Sequence, residues 1–539
     1  MRRELLALAW VGMAGCSSPP GSASSPETDD PVQTDSGAPL APVTWRSALY
    51  PVDWEPGHRL DEARYLHDFS YAGYAAGERP LPSARPDPTV DVTDFGADAT
   101  GAADSAQAFD DALATLTEGG TLWLPAGTYR LDRRVDVRTS GVVVAGEGAD
   151  ATFLHFTQSE GQTGGAGLRF LGDAAPGGEA WPLSVDADPL VHTLTLASAE
   201  GLSVGDAVAL GWVITDAFVE DHGMTGTWQA FNGSFRPFFR RTVVAVEGDE
   251  VTLDVPLRYA ALVRDEAALV PDVRYLAEVG VEDLAVSTAV SVSAAMSANR
   301  HHAIELNRVQ DGWVRRVASW SPEGFDDRHL QSGGVFVVDS RRVTVAESTM
   351  GTPQNRGGGG NGYLFEVSRS NEVLFRDSEA VGGRHNFIQN WDFGTAGCVF
   401  LRTVSREGVA ENGFIKTLGY SEFHHSLAMA NLIDTSVVHD GWQSVNRGGY
   451  SSGAGHAGTQ NVFWNLTGEG SLRSVQYGYG YVVGTGPDLE VTVDPGDPFL
   501  LGAGAGTAPQ DHTEGLGAAD TLEPPSLYED QLARRLGDR

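Results

Sequence analysis

Short apolar or alternating runs bounded by Gly, Pro, Asn and Asp recur along most of the chain, a pattern that predicts β-strands. The segments 121–129 and 141–148 read as strands separated by Gly and Pro. Ahead of them Phe109, Ala112, Leu113 and Leu116 fall at i, i+3, i+4 and i+7, which predicts one short amphipathic helix. Asp104 or Ser105 caps its start and Gly119-Gly120 closes it. Further on, strands recur around Val314, Val343, Val373 and Val399, at intervals of 29, 30 and 26 residues. Unequal intervals of this size suit solenoid coils whose loops differ in length. Each coil hides its inward side chains by stacking on its neighbours, so Val343, Val345, Val373 and Phe375 are expected to form one apolar ladder.

The segment 181–269 has a different rhythm. It holds two pairs of alternating strands joined by Gly-Asp turns, "HTLTLASAEGLSVGDAVALGW" and "RRTVVAVEGDEVTLDVPLRY", and reads as a small β-domain inserted between coils, either a glycan-binding module or a structural flap. The remaining organisation follows: N-terminal segment and first coils over 45–180, main coils over 270–500, and an acidic tail over 501–539 with a short docking helix from Ser526 to Leu536.

The stretches "VTDFGADATGAADSAQAFDDAL", "GGTLWLPAGTYRL" and "GVVVAGEG" together resemble the opening strand, capping helix and first coil of the pectate-lyase-like superfamily. The resemblance implies an all-β fold, a right-handed parallel β-helix solenoid with a short N-terminal capping helix, and it leaves the substrate open. Polygalacturonases of this fold carry Asn-x-Asp, Asp-Asp, Gly-His-Gly and Arg-Ile-Lys elements in that order. Here Asp326-Asp327, Phe414-Ile415-Lys416 and Gly455-His456-Ala457 leave the set incomplete and its last two members reversed, so no catalytic residue carries over.

At the N-terminus, Met1-Arg2-Arg3, the apolar run Leu5 to Met13 and Ala14-Gly15-Cys16 have the form of a secretory signal over residues 1–16. The Met13-Ala14-Gly15-Cys16 ending resembles the bacterial lipobox, which implies lipidation of Cys16 and a location at the cell envelope, anchored through that lipid alone. Residues 17–44, rich in Ser, Pro, Asp and Thr, form the expected disordered tether.

Composition narrows the function. The formal charge is −35 over 539 residues, and no basic run offers the face that counterion release on nucleic acid requires. A polyanionic partner is repelled at long range unless a local Arg cluster overrides the field. Of two cysteines, Cys16 belongs to the signal, and Cys398 is read as a small buried hydrophobe.

Eight of 14 histidines (His301, His302, His329, His385, His424, His425, His439, His456) fall between 301 and 456, where proportion to length gives about four, and Lys416, the only lysine, lies among them. Alternation places His302 on the inner face with Ile304 and Leu306, and His425 on the inner face with Phe423 and Leu427, which leaves His424 pointing outward. Three Gly-flanked polar clusters stand out: Arg384-His385 with Trp391-Asp392, Lys416 after Gly413, and Trp442 with Arg447 and His456. Trp offers a flat face to a sugar ring and Arg clamps a carboxylate bidentately. Elimination from a uronic acid needs a base and a neutralised carboxylate; hydrolysis needs two carboxyl groups of opposed protonation. The candidate catalytic residues are Lys416, His385, His424 and Asp392, with Glu411, Asp434 and Asp440 as further acids; Arg384, Arg447, His456 and Trp442 are the candidate substrate-binding residues. No Cys/His spacing points to zinc and no Asp-rich loop to calcium, so no metal or cofactor is expected.

The sequence thus predicts a surface-anchored polysaccharide-degrading enzyme, with lyase chemistry on a uronic-acid-containing glycan preferred. The rivals are a glycoside hydrolase of the same fold and a non-catalytic glycan-binding or adhesive protein.

Overall fold

The strands stack in parallel from Thr89–Asp91 to His512–Glu514 in a computed structural model that describes residues 43–157, 165–298, 300–496 and 507–537. Cys16 and nearly all of the expected tether lie outside the described residues. A typical coil has two short strands and then a longer third. In the coil that begins at Thr344 these are Thr344–Ala346, Thr349–Gly351 and Tyr363–Ser368; the next coil repeats them as Leu374–Arg376, Glu379–Val381 and His385–Gln389. Every pairing between these rungs is parallel. The chain is a parallel β-helix, and the α-helix Ala106–Leu113, which follows its first strands, buries Ala106, Phe109 and Ala112 in the core of the first coils.

Inward side chains form continuous columns. Val314, Val345, Phe375, Phe400, Ile433, Phe463 and Val482 stack rung upon rung in the first strand row. Phe375 stacks on Phe400 at 4.9 Å between ring centroids, the rings nearly parallel. Val343 and Val373 share a second buried column, and they are fully buried. The coil after Val373 is shorter than the 26-residue interval implies: Leu374 pairs with Val399, so Cys398, not Val399, follows Val373 into the core. Val399 faces outward instead, under an N-terminal arm (Leu49, Tyr50, Leu66, Phe69) and the helix Leu527–Leu536. Cys398 is a free, buried thiol that burial pushes up to about 12, which leaves it inert.

Coil corners are held by polar stacking. Ser340 and Ser370, and Ser348 and Ser378, cap backbone N–H groups one coil apart at 3.0 and 3.2 Å, and Asn431 and Asn461 do so at 2.9 Å. These satisfy buried backbone donors where the chain turns. On the outside, Arg342 pairs with Asp311, Arg369 with Asp339 and Arg402 with Asp377, each joining adjacent coils. The arginine-rich composition is thus in good part a structural ladder.

The segment between the early and later coils forms a six-stranded antiparallel sheet, bounded by Trp181–Pro182 and Ala268–Pro271. Its core, with Trp212 stacked on Phe238 at 3.6 Å, runs on into Phe393, Ala396, Leu427 and Met429 of the coils. Buried Glu372 anchors it further, within reach of Arg241 and Arg258. Among the described residues no helix is long and apolar enough to cross a membrane.

Candidate functional site

The third strand row holds the candidate site, because its outward column sets the buried carboxylates Glu305, Glu366 and Glu422 among its rungs. Arg169, Glu305, Phe336, Glu366, Ile388, Glu422, Gln443 and Arg473 succeed one another along that column, one per coil. Glu366 and Glu422 are two rungs apart, about 9–10 Å by strand spacing, and both are buried. Above them opens a cavity of 380 Å³ lined by Arg300, Tyr363, Arg384, Asn390, Trp391, His424, His425, Ser451 and Ser452, with Gly359 and Gly360 at its edge.

Each carboxylate is clamped. Glu366 receives Arg300 at 2.9 Å and Asn390 at 2.9 Å, with His302 Nε2 at 3.2 Å. Burial alone pushes this acid up, but Arg300, His302 and Asn390 reverse that and hold it at about 2, so it supplies no proton near neutrality. Glu422 Oε2 accepts from Arg447 at 2.8 Å and from Gln443. Its other oxygen, Oε1, accepts no hydrogen bond and lies 3.4 Å from His385 Nδ1 and 3.3 Å from His424 Nε2.

Backbone carbonyls define the imidazole tautomers. Ser451 O lies 2.9 Å from His425 Nε2, which must therefore carry a proton and leave His425 Nδ1 as acceptor. His424 Nδ1, 2.5 Å away, donates to it, and His424 Nε2 keeps its lone pair toward Glu422 and the cavity. Likewise His385 Nδ1 donates to Tyr420 O at 2.5 Å. Burial first, then the Arg447 charge, holds His424 well below the ordinary histidine value. Burial holds His385 and His425 down to about 4. All three rings are neutral at pH 7.

Three of the residues singled out in the sequence, Arg384, His385 and His424, meet here, and Arg447 joins them through Glu422. Arg384 also donates to Gly357 O at 2.6 Å. The others lie elsewhere. Lys416 stands on an exposed hairpin, Val409–Asn412 with Ile415–Leu418, its ammonium 3.0 Å from Glu411 and its side chain 66% exposed. Asp392 is tied to Arg236 of the inserted sheet at 2.9 Å. Trp442 faces into the coil against Phe423 and Phe463, with no face for a sugar. His456 is buried, its Nε2 3.0 Å from His222 O of the insert, and helps dock that sheet. The alternative acids are structural too: Asp434 receives Ser526 and the Tyr528 N–H at the C-terminal helix, and Asp440 receives Asn386 and Ser405.

Two histidines depart from strict alternation. The strand Ser421–Phe423 ends before His424, and left-handed turns at Ser426 and Leu427 free His425 to line the cavity. His302 swings outward because both Ala303 and Ile304 enter the core, and Gly333 clears its path: a Cβ there would lie 2.3 Å from the His302 ring. Sequence reasoning passed over Glu366, Glu422 and Arg300. An acid inside an otherwise apolar strand, as in Leu364-Phe365-Glu366-Val367, was the available signal. Trp391 and Tyr363 are the aromatic side chains at the cavity; Phe231 of the insert packs against Trp391 at 5.6 Å, so the inserted sheet supports one wall.

Residues 89–177 match the family described as rhamnogalacturonase A/epimerase, pectate lyase-like. Comparison with curated protein sequences gives no match. Solved structures similar to this chain include the tailspike protein gp49 of Pseudomonas phage LKA1, with 14% identity, a TM-score of 0.37, and coverage of 80% of this chain and 84% of that one. The mannuronan C-5 epimerase AlgE4 A-module of Azotobacter vinelandii has 12% identity, a TM-score of 0.31, and coverage of 79% and 100%. The catalytic unit of an α-1,3-glucanase from Streptomyces thermodiastaticus has 14% identity, a TM-score of 0.28, and coverage of 81% and 70%. The chain is a parallel β-helix whose first coils carry the pectate-lyase-like family match.

Proposed function

We propose that this protein acts on an acidic polysaccharide at the cavity over Glu366 and Glu422 and cleaves it by β-elimination. The observation that carries this reading is the meeting, in one cavity, of Arg300, Arg384, an exposed Trp391 face and a neutral imidazole, His424, whose lone pair is open. Arg300 is already matched by Glu366, but among the described residues Arg384 pairs with no carboxylate and donates to the Gly357 carbonyl, which leaves its charge at the cavity open to an anionic ligand.

In this mechanism the sugar packs on Trp391 and its carboxylate is neutralised by Arg384, while Arg300, held by Glu366, lines the same cavity as a hydrogen-bond donor; this acidifies the carbon alpha to the carboxylate. His424 Nε2 takes that proton. The electron pair of the broken C–H bond forms the double bond to the beta carbon, the glycosidic C–O bond there breaks, and the leaving oxygen takes a proton from water. Glu422 Oε1, at 3.3 Å, stabilises the imidazolium, and the His425 to Ser451 chain holds the ring in place. Glu366, held at about 2, is a poor general acid, which weighs against two-carboxyl hydrolysis. The similarity to saccharide-processing β-helices, named above as an epimerase and a glucanase, agrees with a glycan substrate. The proposal includes a lipid on Cys16 that keeps the enzyme at the cell envelope, which mass spectrometry of the mature N-terminus tests.

The functional test is a panel of uronate-containing and neutral polysaccharides, read for both unsaturated products and new reducing ends. Unsaturated ends support elimination; reducing ends without them reassign the cavity to hydrolysis, and binding without cleavage assigns it to adhesion.

A further inference from the structure

The cavity floor holds a donor set that elimination does not require. One ring nitrogen of His385, one of His424 and a carboxylate oxygen of Glu422 lie within 4.8 Å of one another, all in buried side chains. We propose that His385, Glu422 and His424 bind a divalent transition metal of the Zn²⁺ class.

Three observations support the site. Glu422 Oε1, wholly buried, has no hydrogen bond, although its sister oxygen is held by Arg447 and Gln443. An orphaned buried carboxylate oxygen is costly unless a cation or donor meets it. Second, the tautomer chain presents His424 Nε2 to that oxygen as a lone pair, so two acceptors face each other at 3.3 Å with no proton assigned between them. Third, the free donors suit a metal: ligands about 2.0–2.2 Å from a tetrahedral ion are separated by about 3.3–3.5 Å, Glu422 Oε1 lies 3.3 Å from His424 Nε2, and His385 Nε2, the nitrogen left with a lone pair, is buried and has no hydrogen bond. The surroundings are those of an oriented metal site. Arg447 fixes the carboxylate, Tyr420 O takes the His385 Nδ1 proton, and His425 takes that of His424. Two imidazoles and one carboxylate select a borderline ion over Ca²⁺ or Mg²⁺, and His424, open to the cavity, gives the ion its path in.

This inference goes beyond the elimination reading and competes with it for one lone pair. A metal on His424 Nε2 removes the proton acceptor, so the loaded protein is expected to lose cleavage and a chelator to restore it.

The test is a titration of chelator-treated full-length protein with Zn²⁺ alone, without saccharide, followed by calorimetry, with Co²⁺ absorption reporting the coordination. One equivalent is expected to bind. His424→Ala and Glu422→Gln are each expected to weaken binding by more than about 10²-fold, and His425→Ala, which only orients a ligand, by about 10–100-fold. His439→Ala, exposed and paired with Glu469, leaves it unchanged. Should Glu422→Gln fail to fold, His424→Ala decides the matter. No binding by the parent, or equal binding by the folded His424 variant, overturns the site. Because no saccharide is present, failure here leaves the elimination test standing, and the reverse also holds.

Discussion

Phe365 and Glu366 are neighbours on one strand, both wholly shielded from solvent, and they are held there by different physics. Phe365 points into the coil and stacks on Phe387 at 5.1 Å, where any apolar group of its size is tolerated. Glu366 points outward and is buried by Arg300, His302 and Asn390, which compensate its charge and fix its position. The inner column holds the fold together through area removed from water. The outer column contributes little net stability, because the desolvation of its ions offsets much of their attraction. Burial on the inner column therefore reports folding, and burial on the outer column reports a site.

The largest effect expected from this contrast is on the inner column. Val343→Asp puts an unpaired charge into the ladder and is expected to cost several kcal/mol, about 3–5, which chemical denaturation measures. A variant as stable as the parent would break the ladder account.

His424→Ala sharpens the other side. On a polysaccharide that the parent cleaves, the chemical rate is expected to fall by roughly 10²–10⁴-fold, the worth of a positioned base, while the melting temperature moves little. Burial keeps His424 in its neutral form well into the acidic range. The pH profile should therefore show no loss of activity near the ordinary histidine value of about 6.5.

Acid separates the two columns more mildly. His222, His385, His425 and His456 are each held down to about 4 by burial. The unfolded chain, with histidines near about 6.5, binds more protons between those values, so stability from these groups is lost as pH falls through that window. Asp434 and Asp511, pushed up by burial to about 6, act in the opposite sense, taking up protons first in the folded state and adding stability as pH falls toward about 4. The histidines outnumber them, so the melting temperature is expected to drop between about pH 6.5 and 4.5. His456→Gln, whose amide can still donate to His222 O, should make that drop shallower.

The smallest effect is expected at Lys416. Exposed on its hairpin, it should tolerate Lys416→Ala with stability changed by no more than about 0.5 kcal/mol and with cleavage intact. A large loss of activity would move the site toward the hairpin.

The sequence reveals the inner column well because period-two alternation is a local property: Val343, Val345, Val373 and Phe375 are legible from their own neighbours. It fails where alternation stops. His425 lies past the end of its strand, His302 beside an irregularity at Ala303, and the Val399 phase slips by one because a coil length cannot be read from a Gly-rich turn. The outer column is illegible for a deeper reason. Glu366 and Glu422 look like solvent-facing strand residues until the coils stack and bring Arg300 and Arg447 onto them. The rarity of Lys416 is a fact of composition and carries no geometry. The histidine enrichment did mark the region, since His385, His424 and His425 converge there, although His456 serves the insert.

The central claim, that the cavity over Glu366 and Glu422 eliminates across an acidic glycan, is tested most directly by the ultraviolet absorbance of unsaturated products. The measurement compares chelator-treated parent protein and His424→Ala on the same uronate polysaccharide. The account predicts steady product formation by the parent and a rate roughly 10²–10⁴-fold lower for the variant. Equal rates for the two proteins, or cleavage that yields only saturated reducing ends, would contradict it.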